Sequence, residues 1–164
     1  MAEPRRDSTT QPVTLIGGSL LVVEARFYEA IGAMLMEGAR RAIAAAGASC
    51  DVITVPGSLE IPIAASIALD ASARAGRPYD GLVALGCVIR GETYHFEIVA
   101  GESSRALIDL GVARRIPLGN GILTVETEEQ AIARADPARG DKGGDAARAA
   151  IALAALKRSL DGAR

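Results

Sequence analysis

The chain has 164 residues, 49% of them hydrophobic but only 3% aromatic, with no tryptophan. That length predicts one domain that buries roughly two-thirds of its unfolded surface, around a core of Ala, Leu, Ile and Val. A formal net charge of −2 with dispersed Lys and Arg gives no electrostatic case for nucleic acid, and no apolar run approaches the ~18 residues of a membrane span.

Residues 1–12 are polar, carry Pro4 and Pro12, and are expected to form a flexible arm ahead of a single domain over 13–164. The arm lacks an apolar signal segment. Cys50 and Cys87 have no metal-site spacing, and the single histidine cannot complete one. Free thiols and a cytoplasmic location are therefore expected, and no metal. Val13–Ile16 is too short for a strand of a main sheet and is a candidate for pairing with the edge of another subunit.

Strand-like and helix-like segments then alternate. Leu20–Ala25 is a continuous apolar run suited to a buried parallel strand. Residues 29–46 place Ile31, Leu35, Gly38 and Ala42 at helical spacing, with Gly47 as terminator. Cys50–Val55 is a second strand, followed by a break at Pro56-Gly57 and a helix over 61–75 whose first turn tolerates Pro62. Gly81–Cys87 is the third strand, and 94–111 a helix with Phe96, Val99, Leu107 and Leu110 on one face. Arg115–Thr124 is read as a fourth strand interrupted by Gly119-Asn120-Gly121. Thr127 with Gln130 three residues on has the spacing of a capping box and announces a short helix. A second break over Asp136–Gly144 precedes a last helix bearing Ile151, Leu153, Leu156 and Leu160, with Lys157 and Arg158 placed to complement its C-terminal dipole.

Four repeats of this alternation predict an α/β fold: a three-layer α/β/α sandwich on a four-stranded parallel sheet with right-handed crossovers. Ligands bind such folds at the carboxyl ends of the strands. The segment Gly86–Phe96 lies there. A strand ends in a glycine-flanked turn and opens a helix, a geometry that suits an anion such as phosphate. Thr93 adds a hydroxyl donor, and His95 brings the side-chain type whose ordinary pKa lies near neutrality. Phosphate chemistry with proton transfer is one reading; a βα turn with an incidental surface histidine is the other. Ala25-Arg26-Phe27, Pro56–Glu60 and Asn120-Gly121 converge on the same strand ends.

Taken with those ends, the chain resembles the lumazine synthase family over roughly residues 20–160. The resemblance rests on Ala25-Arg26-Phe27, Pro56–Pro62, Ala84–Thr93 with His95-Phe96, Gly121–Thr124, Glu129-Gln130-Ala131 with Arg134, and Lys142-Gly143. It implies a flavodoxin-like sandwich assembled into homopentamers, with sites between subunits. It also implies the condensation of 5-amino-6-(D-ribitylamino)uracil with 3,4-dihydroxy-2-butanone 4-phosphate, without a cofactor.

By the same resemblance, Phe27 lies against the pyrimidine, Ser58, Leu59 and Glu60 meet the ring and ribityl chain, and Cys87, Val88 and Ile89 meet the ring edge by backbone. Glu92, through its backbone, and Thr93 hold the phosphate, with Arg134 and Lys142 nearby; His95 shuttles protons. Each has a plainer role too: Phe27 in the core, Glu60 as a helix N-terminal charge, Arg134 and Lys142 as solvated surface charges. Leu59 stands where the family often has Phe, and Asn120 where it is often aromatic, which places affinity for the pyrimidine in question more than the reaction. A low-turnover lumazine- or riboflavin-binding paralogue is the alternative. A flavin-binding electron carrier would need a Ser/Thr/Gly-rich loop where this chain has Glu24–Tyr28.

Overall fold

The computed structural model describes residues 13–162, so the expected arm over 1–12 lies outside the described residues. In chain order the elements are β1 (Ser19–Ala25), α1 (Glu29–Ala45), β2 (Ser49–Val55), α2 (Glu60–Arg74), β3 (Gly81–Ile89), α3 (His95–Arg114), β4 (Leu118–Val125), α4 (Glu128–Ala135) and α5 (Lys142–Gly162). The four strands form one all-parallel sheet in the order β2-β1-β3-β4. The alternating pattern of strands and helices allows little else: parallel neighbours need crossovers, and the crossovers cover both faces.

Successive side chains of a strand point to opposite faces, and here each face has its own core. Leu20 and Val22 of β1 join Val83 and Leu85 of β3 under α1, α4 and α5. Leu21 and Val23 join Leu82 and Ala84 under α2 and α3. A fully buried Leu, Ile or Val contributes about 1.5–3 kcal/mol, and with aromatics scarce these residues carry the core. The helix stops follow local chemistry: Gly47 and Gly76, with φ of 73° and 69°, end α1 and α2.

Three expectations are corrected. β4 runs unbroken from Leu118 to Val125, because Gly119 and Gly121 are packing positions, not turn positions. A Cβ on Gly119 would fall on the Ala146 carbonyl oxygen, and one on Gly121 would stand 2.9 Å from the Ala146 Cβ. α5 likewise begins at Lys142 with Gly143 and Gly144 inside it. A Cβ on Gly143 would fall on the Leu35 carbonyl, so the bare helix start is what lets α5 lie on α1. Lys157 and Arg158 do not serve the end of their own helix: Lys157 donates to the Arg115 carbonyl (3.1 Å), and Arg158 pairs with Asp80 (3.0 Å) and donates to the Ile16 carbonyl (3.1 Å).

Leu153, Leu156 and Leu160 are exposed, unlike Ile151, which is buried. Val13–Ile16 stays out of the sheet and is tied to the end of α1, the Leu15 N–H donating to the Ala46 carbonyl at 2.8 Å.

Candidate active site

The chain reverses its direction of travel across the sheet between β1 and β3, and a cleft of about 440 Å³ opens there, at the carboxyl ends of the strands. Three connections build it.

After β1, Phe27 and Tyr28 form the first wall, their rings 5.1 Å apart in an edge-on arrangement. The ground beneath them is a buried carboxylate. Glu24, 3% exposed, accepts from Arg26 Nε (2.9 Å) and from Thr54 Oγ1 (3.0 Å) of the neighbouring strand, and Arg26 reaches on to Glu29 (2.7 Å). A buried charge is tolerable only when so paired. The network fixes Arg26 on either side of its backbone and leaves the Phe27 ring standing 73% exposed.

After β2, the turn Gly57-Ser58-Leu59 leads into Glu60, with the Glu60 N–H donating to the Gly57 carbonyl (3.2 Å). The turn reaches the cleft because Gly86 of β3 carries no side chain: a Cβ there would stand 3.0 Å from Ser58 Oγ and 3.4 Å from Ile61.

After β3, Cys87, Val88 and Ile89 line the cleft, and the chain turns through Gly91 and Thr93 into α3. His95 is the first residue of that helix, and Tyr94 before it supplies no side-chain cap. The helix start therefore has no N-cap side chain, a condition under which a helix N-terminus can receive an anion. Burial pushes the Cys87 thiol up to about 11, so it stands protonated at neutral pH and offers no thiolate nucleophile.

The expected residues Phe27, Ser58, Leu59, Glu60, Cys87, Val88, Ile89, Thr93 and His95 are thus brought together in one cleft. Glu92 occupies the same turn, exposed, without lining it. Asn120, Arg134 and Lys142 are brought together elsewhere, along a second cleft of about 370 Å³ between β4, α4 and α5. There Asn120 Oδ1 accepts from the Ile122 N–H (3.0 Å), Arg134 donates to the Gln130 carbonyl (3.1 Å) and Lys142 pairs with Asp145 (3.1 Å). Among the described residues, no Lys or Arg side chain lines the first cleft.

The sequence reading did not single out Tyr28 or Val99 as cleft residues. Both had a signal: Tyr28 adjoins Phe27 at a strand end, and Val99 lies one helical turn beyond His95.

The family model described as 6,7-dimethyl-8-ribityllumazine synthase matches residues 17–158. The chain belongs to the lumazine synthase family. It is similar to proteins named 6,7-dimethyl-8-ribityllumazine synthase from Methylocella silvestris (63% identical over 158 residues, 96% of each chain) and Rhodopseudomonas palustris (60% over 160 residues, 98% of each). A third, from Azorhizobium caulinodans, is 60% identical over 158 residues, 96% of this chain and 98% of its own. The lumazine synthase match spans all four strand ends, so both clefts fall within it.

Proposed function

We propose that the protein is a 6,7-dimethyl-8-ribityllumazine synthase, a transferase of riboflavin biosynthesis. It condenses 5-amino-6-(D-ribitylamino)uracil with 3,4-dihydroxy-2-butanone 4-phosphate to give 6,7-dimethyl-8-ribityllumazine, inorganic phosphate and water. The observation that carries the reading is the single cleft uniting an exposed aromatic ring, an uncapped helix start and the chain's sole histidine, within a chain of this family.

Phe27 stacks on the pyrimidine, where a flat ring supplies area and orientation. The Ser58–Glu60 turn meets the ring and the ribityl hydroxyls, which the Glu60 carboxylate can accept from; the backbone of Cys87–Ile89 meets the ring edge. The amides at Glu92 and Thr93 and the Thr93 hydroxyl bind the phosphate. The amine attacks the ketone, the carbinolamine loses water, phosphate leaves and the ring closes with a second dehydration; His95 moves protons in these steps. Positioned acid–base help is worth roughly 10²–10⁴-fold, and holding two reactants together contributes on the order of 7–11 kcal/mol.

The working form is a homo-oligomer, a pentamer by family resemblance, in which Asn120, Arg134 and Lys142 of one subunit complete the cleft of the next. Two features support this. Among the described residues, the first cleft has no cation of its own for a phosphate, while the second holds two. Large apolar side chains also stand exposed on three helices: Ile63 and Ile67 of α2, Ile98 and Val112 of α3, Leu156 and Leu160 of α5. The two unpaired cysteines fit a reducing cytoplasm.

Mixing the purified protein with both substrates tests the reading. Saturable growth of lumazine fluorescence with matching phosphate release is expected; tight lumazine binding without turnover would leave only a binding protein.

A further inference from the structure

The Gly86–Phe96 segment contains an arginine that none of these roles uses. Arg90 follows β3, and its N–H donates to the Val125 carbonyl (2.9 Å), carrying the β3–β4 ladder one residue further. Its guanidinium meets three groups. Nε lies 2.7 Å from Glu126 Oε2, beyond the end of β4; a second nitrogen donates to Glu97 Oε1 (2.5 Å); and the guanidinium carbon sits 4.1 Å from the centre of the Phe96 ring. Phe96 and Glu97 directly follow His95 at the head of α3.

Glu126 is itself held. Its N–H donates to Gln130 Oε1 (3.0 Å), and the Gln130 N–H donates to Thr127 Oγ1 (3.3 Å), the cap that starts α4. One planar group thus ties the first turn of α3 to an anchored strand end. A lysine could not hold both carboxylates and the ring at once, since it presents a point charge and not a fork.

The charge count sets Arg90 apart from a phosphate ligand. It faces two carboxylates, and its hydrogen bond holds the Glu97 carboxyl below the ordinary carboxylate range. Arg134, by contrast, makes one bond to a backbone carbonyl and no ion pair among the described residues. The Arg90 guanidinium also covers one face of Phe96, whereas Phe27 stands largely exposed.

We infer that Arg90 is a positioning residue: it clamps the head of α3 to the β3 and β4 ends, sets where His95 stands over the cleft, and does not bind phosphate itself. The inference rests on His95 acting as the proton shuttle. A double-mutant cycle tests it, with Arg90→Met, His95→Ala and the pair, each checked for fold by circular dichroism and for assembly by size. Arg90→Met is expected to lower kcat about tenfold in the otherwise native enzyme and less than about twofold in the His95→Ala background, because residues acting through one another are not additive. Lumazine affinity, set by Phe27 and the 57–60 turn, should stay within about twofold.

An equal loss in both backgrounds overturns the inference, and so does a raised KM for the butanone phosphate at unchanged kcat, the mark of a phosphate ligand. Should Arg90→Met fail to assemble, Glu126→Gln removes the anchor alone and should give the same non-additive pattern at roughly threefold. Native enzyme that turns over while the cycle is additive refutes the role of Arg90 only; native enzyme without turnover refutes the synthase reading and the role with it.

Discussion

The carbonyl oxygen of Ala146 occupies the space that a side chain on Gly119 would need. Because of this, α5 rests directly on β4, and Lys142 at the head of α5 comes to share a cleft with Asn120 of β4 and Arg134 of α4. Gly119→Ala must push the two elements apart. It should lower stability by about 1–3 kcal/mol, the usual range for overpacking, measured by chemical denaturation. Gly101→Ala, where an added Cβ meets nothing within 4 Å, should not.

His95→Ala should slow turnover by roughly 10²-fold or more without abolishing it, since acid–base help is only part of the rate. Steady-state fluorescence of the lumazine product measures this. Complete loss in a folded, assembled variant would count against the ranking of proximity above proton transfer.

Arg134→Ala should raise KM for the butanone phosphate by about tenfold to a hundredfold, as loss of a charged hydrogen-bond partner costs about 1.5–3 kcal/mol, and leave KM for the pyrimidine near its native value. If one site draws on two subunits, a mixture of Arg134→Ala and His95→Ala chains, unfolded and reassembled together, should turn over faster at low butanone phosphate than the two parents together. Activity no higher than the sum of the parents would refute shared sites.

The Cys87 thiol is held up to about 11, above its ordinary 9, by burial. The folded state therefore keeps this proton after the unfolded chain has released it. The associated stability is fully present below about pH 9 and is lost as pH climbs towards 11, by at most about 3 kcal/mol. Denaturation midpoints of the native chain and Cys87→Ala should converge across that window; a constant difference would mean that the thiol titrates normally.

Asn120→Phe puts a ring where the chain has an amide that now accepts from the Ile122 N–H. An added aromatic stack contributes about 0.5–1.5 kcal/mol, so KM for the pyrimidine should fall by roughly twofold to tenfold, with kcat little changed. A KM that does not fall would show that this position meets no part of the pyrimidine.

What was legible in the sequence was the chemistry that acts locally. Gly47 as a helix stop, Thr127 with Gln130 as a cap, and the turn that ends at His95 all depend on neighbours within a few residues, and all stand where expected. The glycines of β4 and α5 were misread because the same residue type serves two purposes: it breaks elements, and it admits another backbone. Which one applies to Gly119 depends on Ala146, 27 positions away. The separation of Arg134 and Lys142 from the His95 cleft was equally hidden, since a linear motif preserves order and not distance. Arg90 escaped for that reason too, one of its carboxylates lying beyond the end of another strand.

The division of cations and histidine between two clefts has a pharmacological side. If the clefts complete each other across a subunit boundary, ligand binding and subunit association become one linked equilibrium. A bisubstrate mimic spanning both patches would then act as a molecular glue, gaining potency as it stabilises the ring. A compound confined to the Phe27 side would inhibit without that cooperativity, and dilution of the enzyme would separate the two kinds.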